Sequence, residues 1–250
     1  MTSPLKILVP LIVADANITA SNVALETAWT AGTYPLGTQR RVGERLFEVS
    51  AASTSQEPSD TATEWFDAGP ANRFAAFDRQ AGFDKFRVVE TKTSNAGSIT
   101  YTIESLTRIG GIAMFGLQAA TISIVATVST TGDAANISKT LQDFTDYEGS
   151  LWRWMFVPQS LERKFVNFEV NIPQGASIEI TIENTGDIAS VGTIAFGLVS
   201  SFGIVGTGTS KTLKSRSFKK TEGALTSLLR RTTSSSVSYS TTLLNYEADS

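Results

Sequence analysis

The sequence predicts a mainly β protein: a small Trp/Gly β module, then a β-sandwich (jelly-roll-like) domain, then an extended basic C-terminal arm. Three observations predict this class. β-Branched and aromatic residues dominate, punctuated by Gly, Ser, Thr, Asn and Asp. The stretches "TISIVATVST" (121–130), "KFVNFEVNIP" (164–173) and "ASIEITIEN" (176–184) alternate with a period of two, as strands with one face on a core do. No long stretch with a 3.6-residue period competes with them.

Residues 1–25 are read as an N-terminal arm. Its apolar run "ILVPLIV" (7–13) follows Lys6 and meets the polar "ADANITASN" without a convincing cleavage site, so it reads as mature sequence and as a strand. That run is far short of the about 18 residues a membrane span needs.

Residues 26–80 form the module. "ETAWTAGTYPLGTQRRVGERLFEVSA" (26–51) gathers Trp29, Gly32, Tyr34, Gly37 and Gly43, and "WFDAGPANRFAAFD" (65–78) closes it. Residues 81–206 hold enough spaced strands for a sandwich. Within them, "NIPQGASIEI" reads as a strand, a turn at Gly175 and a returning strand. "GTIAFGLVSSFGIVG" (192–206) reads as a buried strand followed by a tight loop, where Gly permits close backbone approach.

Residues 207–250 are the basic arm and a final strand. "TGTSKTLKSRSFKKTEG" has no core pattern, "GALTSLLRRT" (223–232) is the best short helix candidate, and "SSSVSYSTTLLNY" (234–246) alternates again. The arm is longer than an ordinary connection. The net charge of the 250-residue chain is −3. It is unevenly placed: residues 211–250 carry seven Lys and Arg against three acids, a local +4, which leaves −7 on residues 1–210. Such asymmetry marks an interaction tail.

Chemistry is narrowed by two absences, since the chain has no Cys and no His. Disulfides, thiolate metal sites, cysteine nucleophiles and the Ser-His-Asp triad are excluded. The commonest metal ligand is also gone. The expectation is a protein that is not an enzyme, with no metal and no cofactor. Asp143, Asp146 and Glu148 cluster in "DFTDYE", but their spacing fits a calcium loop poorly and reads as a solvated loop. The basic stretch 211–220 lacks interleaved aromatics apart from Phe218 and matches no nucleic-acid motif.

Three groups of residues are singled out. Trp29, Tyr34 and Trp65 have the faces to stack on a sugar, or they build the core that a module of about 50 residues otherwise lacks. Asn72, Arg73, Phe74, Phe77 and Asp78 read as a structural junction: Gly69-Pro70 sets a turn, Asn72 bonds its own backbone, and the Arg73 fork reaches Asp78, Asp67 or a carbonyl. Phe74 and Phe77 fall on one side of a helical turn and plug the sandwich. In the arm, Phe218, Leu225, Leu228 and Leu229 are candidate apolar anchors for assembly, with Lys219, Lys220, Arg230 and Arg231 setting register. "SLWRWMFVP" (150–158) places Trp152, Trp154 and Phe156 on one strand face and Arg153 and Met155 on the other.

The pattern Trp29-x4-Tyr34-x2-Gly37-x4-Val42, followed by "LFEVSA", Pro58 and Trp65, resembles the small chitin-type carbohydrate-binding modules attached to bacterial glycosidases. Those modules usually carry a further exposed aromatic after that strand; here the place reads "VSAASTSQEP". Over nearly the whole chain, the order "LVPLIVADANITASNV", Trp/Gly module, "GPANRFAAFD", "LWRWMFVP", "VGTIAFGLV" and "SRSFKKTEGALTSLLRR" is similar to structural proteins from the tail modules of tailed bacteriophages. The resemblance implies a virion tail or baseplate component, assembled in the bacterial host cytoplasm from copies of itself and other tail proteins. A carbohydrate-binding, receptor-recognition protein of the same tail, with a host surface glycan as partner, is the alternative. Neither reading involves nucleic acid or membrane insertion.

Overall fold

The computed structural model describes residues 4–59, 62–78, 91–105, 107–128, 132–141 and 162–205, and the backbone of 210–215, 218–222, 225–229, 233–238 and 241–242. The described chain is mainly β. Its strands are β1 (Pro4–Pro10), β2 (Ile18–Ser21), β3 (Tyr34–Pro35), β4 (Gln39–Val42), β5 (Arg45–Val49), β6 (Ser53–Thr54), β7 (Trp65–Pro70), β8 (Thr93–Glu104), β9 (Gly111–Phe115) and β10 (Thr121–Val128). They continue with β11 (Gly132–Thr140), β12 (Lys164–Asn167), β13 (Ser177–Val191), β14 (Thr193–Val205), β15 (Ser210–Ser215), β16 (Phe218–Glu222), β17 (Leu225–Leu229), β18 (Thr233–Ser238) and β19 (Thr241–Thr242). Single 3₁₀ turns occupy Asp15–Asn17 and Ala75–Phe77.

Two compact units result: Leu8–Val199, and Met1–Ile7 with Ser200–Ser250. The larger unit contains both the module and the sandwich strands, so no boundary between compact units falls near residue 80.

Two five-stranded sheets share one apolar core. The first runs β1-β14-β9-β12, with β19 also paired to β14; the second runs β11-β10-β13-β8-β2. Period-two alternation explains the second sheet directly. Ile122, Ile124 and Ala126 of β10 and Ile178, Ile180 and Ile182 of β13 are buried, and the register pairs Ile122 with Ile182 and Ile124 with Ile180. On β8, Ile99, Tyr101 and Ile103 extend the same inner face. Against it the first sheet sets Ile112 and Met114 of β9, Ile194 and Phe196 of β14 and Phe165 of β12. Burying each such aliphatic side chain contributes about 1.5–3 kcal/mol, which makes this sandwich-like layer the main source of stability.

Several local expectations change. Within the N-terminal arm, β1 lies beside β14, β2 pairs with β8, and Leu11 N–H donates to the Phe196 carbonyl at 2.8 Å. Close approach of β1 explains Gly197, where an added Cβ would overlap the Val9 carbonyl oxygen. Gly175 sits in a turn, but that turn does not join a hairpin. Ile172 bridges Ile109, next to β9, whereas Ser177 pairs with Glu104 of β8, so the chain crosses from one sheet to the other. The strand expected in 192–206 is β14, continuous for 13 residues from Thr193 to Val205, with no tight loop within that span.

Where a helix is expected over 223–232, the described residues Leu225–Leu229 are a strand: β17 pairs antiparallel with β16. A partner strand satisfies its backbone, which a short isolated helix cannot do alone. The described segments of the arm form nested antiparallel pairs. Ile204 lies opposite Thr242, Ser210 opposite Ser238, Phe218 opposite Leu229 and Glu222 opposite Leu225.

Candidate functional site

The module is built on two small sheets, β3-β6 and β4-β5-β7. The β4–β5 hairpin closes through Gly43-Glu44, with Gly43 at φ +58°, a left-handed conformation that favours glycine. β7 then lies along β5, pairing Trp65 with Val49 and Glu48 with Phe66. Strand alternation turns Phe47, Val49 and Trp65 inward, where they meet Tyr34, with Trp29, Val42 and Ala62 packed around them.

This geometry fixes the three candidate sugar-stacking residues. Tyr34 and Trp65 are only 8% and 5% exposed and meet edge-to-face, 5.9 Å apart at 63°. Trp65 Nε1 donates to the Gln56 carbonyl at 3.0 Å. The Tyr34 hydroxyl donates to the Thr30 carbonyl at 2.6 Å, and the Arg40 guanidinium covers its ring at 4.7 Å from the centroid. Hydrogen bonding to the Thr30 side chain, helped by Arg40, holds the Tyr34 phenol below its ordinary value. Trp29 is half-buried and anchored through its backbone, donating to the Arg41 carbonyl at 2.9 Å. The rings therefore form a small core with no coplanar exposed platform. The aromatic that faces solvent is Phe66, 62% exposed, in the row Gln39–Glu48–Phe66. The signal that would have found it is parity: if Trp65 points in, Phe66 points out.

The segment 69–78 fastens the module to the sandwich core. Gly69-Pro70 does not open a turn; both residues belong to β7, and the turn starts one residue later, where Phe74 N–H donates to the Ala71 carbonyl at 2.9 Å. Asn72 does not bond its own backbone. Its amide imitates a strand partner for Ser94, donating from Nδ2 to the Ser94 carbonyl at 2.8 Å and accepting from Ser94 N–H at 2.9 Å. Its own N–H donates to Glu26 Oε1 at 2.8 Å. Arg73 uses the carbonyl option, its Nε and a terminal nitrogen both donating to the Val23 carbonyl at 2.9 and 2.7 Å. Asp67 instead takes a two-pronged ion pair from Arg45.

Phe74 and Phe77 are buried at the two ends of a single turn. Phe77 packs edge-on against Tyr101 at 5.0 Å and Phe196 at 6.4 Å. The Tyr101 hydroxyl donates to the Arg73 carbonyl at 2.7 Å, and burial pushes its phenol up to about 12. Thr93, fully buried beside it, donates to the Asn72 carbonyl and accepts from Ala76 N–H. Asp78 ends the turn at the rim of a cavity of about 200 Å³, whose floor is Val13, Phe74 and Phe77. Two other charged residues line this cavity: Arg45, which pairs with Asp67, and Glu44, whose Oε1 accepts from Asp15 N–H at 2.7 Å.

No group of three potential metal-ligating acidic side chains occurs among the described residues, and none of their helices is long and apolar enough to cross a membrane. For the candidate assembly residues, the backbone of Phe218, Lys219, Lys220, Leu225, Leu228 and Leu229 lies in β16 and β17, with Phe218 opposite Leu229 and Lys219 opposite Leu228. Arg230 and Arg231 lie outside the described residues, as do Trp152, Trp154, Phe156 and the acidic trio 143–148. No protein-family model matches the chain, and neither does any curated protein.

Proposed function

We propose that this chain is a multi-copy structural component of a bacteriophage virion tail, at the baseplate or tail tip, that works by assembly. The observation that carries the reading is the inward packing of Tyr34 and Trp65, which makes the module a rigid block rather than a ligand platform. The order of the segments that resemble tail structural proteins supports the same reading. In this account the sandwich-like body is the scaffold. The nested C-terminal strands engage a neighbour, with Phe218, Leu225, Leu228 and Leu229 as apolar anchors and Lys219, Lys220, Arg230 and Arg231 setting register. Lacking His and Cys, the chain contributes shape and contacts rather than catalysis.

The test is to locate the chain in a reconstruction of the intact particle. Repeated, symmetry-related copies in the tail are expected; a chain found in infected cells but never in purified virions would overturn the proposal. The second reading, glycan recognition, rests on the exposed Phe66 ring beside Glu48 and Gln39. A glycan array probed with the full chain separates the two. Binding that Phe66→Ala abolishes would favour receptor recognition.

A further inference from the structure

We propose that the outer face of the second sheet is the surface on which the basic C-terminal strands of a second copy dock; this rests on the multi-copy reading above. The register of β13 with its neighbours defines that face. Residues alternate along β13, so Ile178, Ile180 and Ile182 point into the core while Glu179, Thr181 and Glu183 point out. Across the sheet, Glu179 is level with Thr102 and Thr181 with Ser123. Glu104 is level with Ser177, which places it diagonal to Glu179 at about 7 Å. Glu183 stands four residues further along the same strand, about 13 Å away.

Three features make this face a docking surface for a cationic ribbon. Thr102, Ser123 and Thr181 on it are short and half-buried, and the longer, exposed side chains of Glu104, Glu179 and Glu183 stand above them. No residue that the register places on it is basic, and none of the three carboxylates has a cationic partner among the described residues. The diagonal neighbours Glu104 and Glu179 repel each other, and all three carboxylates gain from an opposing cationic layer.

The occupant follows from charge. Residues 211–231 carry seven Lys and Arg against one acid, while residues 1–210 are net −7. The described backbone here is extended, with β15 paired to β18 and β16 to β17, a shape that can lie along a sheet face. The rest of their composition includes three Ser and three Thr, which can hydrogen-bond with a hydroxyl-bearing partner, beside four Leu and one Phe. A second copy supplies both surfaces at once, and a head-to-tail contact of this kind repeats around a ring. Exposed ion pairs are individually weak and salt-screened, so the face steers and registers the contact while apolar anchors add affinity.

Charge reversal in trans tests this on the full chain by sedimentation at low and high salt. The wild type is expected to self-associate more tightly at low salt. Glu104→Lys/Glu179→Lys/Glu183→Lys should weaken association at least tenfold, about 1.4 kcal/mol, and so should Lys214→Glu/Lys219→Glu/Lys220→Glu. Mixing the two variants should restore association. The milder Glu104→Gln/Glu179→Gln/Glu183→Gln variant, with unchanged thermal melting, should weaken it several-fold and guards against misfolding. The proposal is overturned if the reversed face associates within twofold of wild type. It is equally overturned if the mixed variants fail to pair, if only a chain carrying both reversals recovers, or if the wild type stays monomeric. Each of these leaves the tail assignment to be decided independently by the particle reconstruction.

Discussion

Alkaline pH should loosen the junction at Tyr101, and the size of the effect follows from its surroundings. Tyr101 is fully buried, and burial raises its phenol from 10.0 to about 12. In the unfolded chain the phenol loses its proton near 10; in the fold it holds it until about 12. Between those values the native state binds a proton that the unfolded state has released. The associated stability is therefore fully present below pH 10 and is lost as pH rises through 12. At 1.36 kcal/mol per pH unit, the loss is about 2.7 kcal/mol.

Tyr101→Phe removes this titration and also takes the hydroxyl away from the Arg73 carbonyl. Leaving that carbonyl unpaired costs about 1–3 kcal/mol at neutral pH. The stability gap between wild type and variant should therefore be about 1–3 kcal/mol at pH 7 and shrink to nothing, or invert, by pH 12. Urea unfolding of both proteins at stepped pH reads the gap. Phenolate absorbance offers a second check, with a late-titrating component that belongs to Tyr101. A gap that stays constant between pH 10 and 12, or a late component that survives Tyr101→Phe, would refute the reasoning.

Two further substitutions probe the packing around this point. Phe77→Ala removes the ring that touches both Tyr101 and Phe196, and denaturant unfolding should show a loss of about 3–5 kcal/mol; less than about 1.5 kcal/mol would mean the ring is not a core element. Gly197→Ala drives a methyl into the Val9 carbonyl, so a loss of about 1–3 kcal/mol is expected, with hydrogen exchange at Leu11 N–H rising because its bond to Phe196 is displaced. Unchanged exchange at Leu11 would count against the close approach of β1.

What the sequence determined by itself is whatever depends on near neighbours along the chain. The alternation in "TISIVATVST" and "ASIEITIEN" identifies β10 and β13 and even their inward residues, because successive strand side chains must point to opposite faces. The small module's need for its own core pointed to Tyr34 and Trp65 for the same kind of reason: its size limits what else can fill it. The charge imbalance between residues 1–210 and the basic segment after them is likewise written in composition.

The tertiary structure decided everything that depends on which segment meets which. Nothing local says that β1 and β2 join different sheets, that the turn at Gly175 crosses between sheets, or that Arg73 chooses the Val23 carbonyl over Asp67 and Asp78. Asn72 satisfies Ser94 rather than itself because β8 arrives alongside it, 22 residues later in the chain. Residues 225–229 carry leucines that suit a helix equally well, and they are a strand because β16 supplies the hydrogen bonds. Backbone polar groups must be paired wherever they are buried, and the partner that pairs them is chosen by the whole fold, which no window of sequence contains.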